Sequence, residues 1–190
     1  MARCAGLAFA GAMLLAAPAS AAPLVTETFE YFDVSGSTAG DIRAQLHRLG
    51  PVDSAGRHND AYTKWFVTWN YTYKNVSGRC AIATVSTIAK AVITFPRLKA
   101  DAAAPSGVKQ AFARYREKLL VHEKGHVQIG VDIANRVEDG IRALPPVPDC
   151  AALGRSANAL GNGLIREGQR MDLDYDARTN HGATQGARFP

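Results

Sequence analysis

Residues 122–126 read His-Glu-Lys-Gly-His. Two histidines four positions apart lie about 40° from one another on an α-helix, one turn apart on the same side. Their ring nitrogens can then reach one ion at about 2.0–2.1 Å, the usual zinc–imidazole distance. Glu123 stands beside the pair rather than behind it. Its carboxylate is placed to act as general base on a water that the ion activates, and to pass the proton to a leaving amine. The spacing predicts zinc-dependent hydrolysis of peptide (amide) bonds, with His122 and His126 as ligands and Glu123 as catalytic base.

A catalytic zinc takes a third protein ligand and keeps a fourth position open. Three residues are candidates. Asp132 follows His122 by ten residues, where one metalloprotease class places its last ligand after a glycine turn. Here residue 129 is Ile, and on a continuous helix Asp132 falls about 80° from His122 and beyond reach. Glu138 falls nearly opposite the histidines. His181 lies in a glycine-flanked stretch near the end of the chain that can return to the helix. His181 and Asp132 both stay open at this point. His47 and His58 read as surface or loop residues, and Asp172 and Asp174 as solvated charges.

The elements that must hold these groups are legible in outline. Val108, Ala111, Tyr115, Leu119, His122, His126, Ile129 and Ile133 recur every three or four residues, which predicts a helix from about 106 to 144. Pro145, Pro146 and Pro148 end it. A second helix is expected from Cys150 to about Arg170, weakened by Gly154, Gly161 and Gly163, with an irregular tail after it. Upstream, "LVTETFEYFDVSG" reads as a strand. Thr38 and Asp41 form a capping-box pattern for a short helix that Gly50 and Pro51 stop. Trp65, Val67, Trp69, Tyr71 and Tyr73 share one face of a long strand, and "NVSGR" turns it into a second strand, "CAIATVSTIAKAVITF". The aromatic stripe reads as sheet residues packed on the core. The expected fold is α+β: a small antiparallel sheet packed against a long HExxH-bearing helix and a second C-terminal helix.

The first 21 residues read as a signal peptide: Arg3, the apolar run "LAFAGAMLLAA", then a small-residue cleavage site at Ala19, Ser20 and Ala21. Residues 22–190 then form a single zinc-peptidase-like domain, exported to the periplasm or the medium, and nothing later is long and apolar enough to span a membrane. Losing Arg3 takes the formal charge from +5 to +4. The charges are scattered, which excludes dedicated nucleic-acid binding and leaves contact with acidic envelope polymers open. With Cys4 removed, Cys80 and Cys150 remain, and two cysteines in an oxidising compartment predict one disulfide.

Three stretches carry a resemblance: "YFDVSGSTAGDIRAQL" (31–46), "HEKGH" (122–126) and "YDARTNHG" (175–182). In order and spacing the chain resembles a bacterial family of predicted secreted zinc-dependent proteases, also known as domain of unknown function 922. The resemblance implies a zinc peptidase acting on a peptide or protein substrate. It implies His122 and His126 as ligands, Glu123 as base, and His181 as the natural last ligand. Tyr175 is then a candidate to donate its hydroxyl to an oxyanion, and Asp176 to accept a ring N–H from a ligand histidine and fix its tautomer. The competing expectation is a non-catalytic envelope-binding or structural protein, with a closed structural zinc or none.

Overall fold

The computed structural model describes residues 22–53, 56–100 and 102–190; the expected signal peptide, 1–21, lies outside the described residues. The chain runs β1 (Leu24–Val34), α1 (Ala39–Leu49), β2 (Tyr62–Val76), β3 (Arg79–Leu98), α2 (Ser106–Arg142), α3 (Cys150–Thr179) and a 3-10 turn (Ala183–Gln185). The α+β class and the two long helices are as expected. No helix among the described residues is long and apolar enough to cross a membrane.

β2 and β3 form the expected hairpin. Ser77 and Gly78 both take positive φ, 50° and 77°, as a two-residue type I′ turn requires. The sheet order is β1-β3-β2. β3 pairs antiparallel with β2 but parallel with β1, so the sheet is mixed rather than antiparallel throughout. Side-chain alternation marks the faces of a strand and carries no information on the direction of its neighbour. α1 supplies the crossover: Thr38 accepts from the Asp41 backbone N–H, Asp41 accepts from that of Thr38, and Ile42 and Leu46 are fully buried beneath the helix.

α2 has 37 residues, about 55 Å of helix. Its N-terminal half buries Phe112, Tyr115 and Leu119 against Ile93 and Phe95 of β3 and Ile42 and Leu46 of α1. Its C-terminal half buries Ile133, Val137 and Ile141 against Val67, Ala89 and α3. Trp65 packs against both clusters.

α3 departs from the expectation. It runs unbroken to Thr179, so the first part of the stretch read as an irregular tail is about two and a half further helical turns. Its glycines weaken it by propensity and serve packing. Gly161 and Gly168 leave space into which the rings of Trp69 and Trp65 fit; a Cβ at either position would collide with the indole. The cost in helix propensity, about 1 kcal/mol per glycine, is set against burial of two large aromatic side chains. Asp149 caps the start through the backbone N–H groups of Ala151 and Ala152, and Asn180 closes the end in the left-handed conformation.

The Cys80–Cys150 disulfide is present, with Cα atoms 5.2 Å apart across 70 residues of chain. It joins the start of β3 to the start of α3, next to a backbone bridge between Cys80 and Val147. Replacing both cysteines by serine is expected to remove about 4 kcal/mol and lower Tm by roughly 10 °C in a chain of this size. Calorimetry of the double variant checks this; an unchanged Tm would show the cross-link to be dispensable.

Candidate metal centre

α2 and α3 pack side by side in opposite directions, and their meeting point is the histidine turn. His122, Glu123 and His126 are all buried, at 3%, 3% and 8% exposure. Asp172, Tyr175, Asp176 and Thr179 come from one side of α3, at the i, i+3, i+4 and i+7 spacing of a continuous helical stripe. Gly125 permits the approach, because any side chain there would run into the Tyr175 ring. That ring stacks on His122, with centroids 5.1 Å apart and planes 8° apart, and meets His126 edge-on.

Three ligand atoms converge. His122 Nε2 and His126 Nε2 are 3.4 Å apart, and Asp176 Oδ1 lies 3.1 Å from each. Donor atoms on a tetrahedron with arms of about 2.0–2.1 Å are separated by about 3.3 Å. The triangle therefore has the size that a tetrahedral N,N,O site demands. The opposite ring nitrogens are committed elsewhere. His122 Nδ1 lies 3.1 Å from Gln185 Oε1, and His126 Nδ1 lies 2.8 Å from Asp172 Oδ1. Both partners are acceptors only, so each Nδ1 carries the proton and each Nε2 presents a lone pair. Two lone pairs and a carboxylate oxygen then face one point, an arrangement that needs a cation.

In the metal-free chain a proton serves instead. Burial disfavours charge on His126, but its hydrogen bonds to Asp172 and Asp176 and the nearby carboxylates outweigh that, and its pKa is pushed up to about 9. Burial alone would raise Asp176; the two histidines reverse this and hold its carboxyl well below the usual range. Glu123 goes the other way: burial pushes its pKa up, against the pull of a 2.7 Å hydrogen bond from Thr63 Oγ1 and of the two histidines.

Glu123, His122, His126 and Asp176 line a cavity of about 310 Å³, whose other walls include Tyr62, Arg43 and His181. Arg43 is held there by Asp60, 2.6 Å away, and lies over the rings of Tyr115 and Phe189.

The sequence candidates are placed as follows. His122, Glu123 and His126 come together with Asp176. His181 lies at the rim: its Nδ1 is 3.5 Å from Asp176 Oδ1, its side chain is half exposed, and it is outside the triplet whose ligand atoms lie within 4.8 Å of one another. Asp176 faces the lone-pair side of both rings rather than backing one of them. The backing role falls to Asp172, read as a solvated charge but bonded to both His126 and Trp65 Nε1. Tyr175 does not aim at the cavity; its hydroxyl donates to the His122 carbonyl and accepts from Gln185 Nε2. Asp132 is exposed and accepts from Gln128, and Glu138 is buried against Thr87 and Arg142. Sequence reasoning missed Thr63, Asp172 and Gln185. For Asp172 a signal existed: Asp172 and Asp176 stand four apart, which a helical reading of the tail would have put on one face.

Residues 29–182 match the family described as "Bacterial protein of unknown function (DUF922)". The chain belongs to this family. No curated protein and no solved structure matches it. The matched span takes in the DUF922 chain's whole triplet, Thr63, Glu123, Asp172 and His181, and stops short of Gln185.

The proton on His126 gives the DUF922 chain a pH signature. Its folded pKa of about 9 exceeds the ordinary 6.5. The stability it contributes is fully present below pH 6.5 and is lost as pH rises through 9. Chelator-treated protein is expected to fall in Tm across that window, and zinc-loaded protein to fall much less. Parallel melting curves from pH 6 to pH 10 test this; coincident curves would remove the proton from the account.

Proposed function

We propose that this DUF922 chain is an exported zinc-dependent amide hydrolase acting on peptide bonds. The observation that carries the reading is the triangle of His122 Nε2, His126 Nε2 and Asp176 Oδ1 with Glu123 buried beside it in the same cavity. Two imidazoles and one carboxylate suit zinc among the common divalent ions. Bound there, zinc would act as a Lewis acid towards a carbonyl oxygen and lower the pKa of a coordinated water. Glu123 then accepts a proton on its carboxylate and returns it to the leaving nitrogen. At 3% exposure it holds that proton out of bulk water between the two events. Thr63 fixes the carboxylate from behind. Asp172 and Gln185 fix the rings by their Nδ1 protons.

Elemental analysis and hydrolysis of an unfolded protein substrate, with and without chelator, test the reading together. The expected result is one zinc per chain and cleavage that chelator abolishes and zinc restores. A chain that takes up no zinc at neutral pH would refute it.

A second reading rests on His181. Its nearness to Asp176 makes it a candidate fourth protein ligand, and a site closed by four protein ligands is structural rather than catalytic. The His181 variant discussed below separates the two.

A further inference from the structure

β2 is an edge strand: β3 pairs with one side of it, and among the described residues no strand pairs with the other. An edge of this kind is usually blunted by proline, a bulge or charge. Over residues 62–69 β2 has no proline and one charged residue, Lys64, and its irregularity comes later, at Thr72/Tyr73. α3 runs beside this edge but stands off from it, because Trp65 and Trp69 reach across to Gly168 and Gly161. A groove of about 510 Å³ is left between them. Its one side is every residue of β2 from Tyr62 to Trp69, and its other is Asn162, Ile165 and Gln169 of α3.

We propose that this groove binds an extended polypeptide as an added strand on β2 and leads it to the metal centre. Eight consecutive strand residues present roughly 24 Å of main chain, whose outward N–H and C=O groups complement another main chain and little else. The groove adjoins the centre. Tyr62 lines both cavities, and Asp172 lines the groove while holding His126. Thr63, within the same strand, holds Glu123. A peptide paired with β2 is therefore in fixed register with the base. The indole N–H groups are tied to Asp172 and Asn158 and the rings lie against α3 glycines. Delivery to the centre rests on the hydrolase reading; binding in the groove does not.

The chain has two tryptophans, Trp65 and Trp69, and both line the groove, so its intrinsic fluorescence reports on this place. Zinc-loaded Glu123→Gln protein is titrated with a tryptophan-free, unstructured peptide of about ten residues, its backbone N-methylated analogue, and a soluble glycan oligomer. The peptide is expected to shift the emission saturably. The N-methylated analogue should bind about tenfold more weakly, as loss of one or two main-chain hydrogen bonds implies. Asn162→Tyr and Gln169→Tyr, both at exposed positions of α3, should weaken peptide binding with zinc content retained, and should raise KM for an unfolded substrate if the chain cleaves it. Peptide binding that depends on backbone N–H groups without any cleavage by the wild-type chain would retain the groove and defeat the hydrolase reading. Cleavage of a peptide that gives no emission shift at saturation, or a shift given by the glycan alone, would overturn the groove.

Discussion

Glu123→Gln is expected to leave zinc binding intact and to lower hydrolysis by about three orders of magnitude, within the usual range for loss of a general base. The substitution keeps the shape of the side chain and the Thr63 hydroxyl as a neighbour. It removes the charge and the capacity to take up a proton. Glu123 is not among the three converging ligand groups, so metal content need not change. The outcome is read as a pair: zinc stoichiometry by elemental analysis and turnover on an unfolded protein. Loss of both would place Glu123 in metal binding instead; loss of neither would remove it from the chemistry.

Asp176→Ala is expected to abolish stoichiometric zinc, whereas His181→Ala is expected to retain it. Asp176 Oδ1 is equidistant from both Nε2 atoms, and its removal leaves two ligands, too few to hold a zinc ion. His181 meets the triplet through Asp176 alone, at 3.5 Å, from a half-exposed position. Its loss should weaken zinc by no more than the ten- to hundredfold typical of an outer partner. Competition with a chromophoric chelator measures both. If His181→Ala empties the site while Asp176→Ala does not, the third ligand is the imidazole. If each variant empties it, four protein groups close the site and the structural reading gains.

The histidine pair, the flanking glutamate, the long helix and the disulfide were legible because each is written locally: a fixed spacing, a 3.6-residue period, two cysteines left once the expected signal peptide is set aside. What was not legible needed contact between distant elements. Gly161 looks like a weak point in a helix until Trp69 is seen beside it. Reading the stretch after Arg170 as an irregular tail hid Asp172 and Asp176 as members of one face, and so turned the search for a third ligand towards His181. The parallel pairing of β1 with β3 was beyond reach for a different reason, since a strand's own sequence does not encode the direction of its neighbour. Thr63 shows the same limit. A threonine in an alternating strand is unremarkable until Glu123 of α2 is placed against it.

His122 and His126 precede Asp176 by fifty residues and more, and Gln185 comes later still. Emerging from a ribosome, the chain thus displays its imidazoles before the helix that completes their grip exists. Neither half is a trap for metal by itself; only docking of α3 unites them. Tight uptake of a metal ion at this triplet would consequently be a read-out of maturation, and the hydrolysis proposed above would stay silent until the last helix has settled.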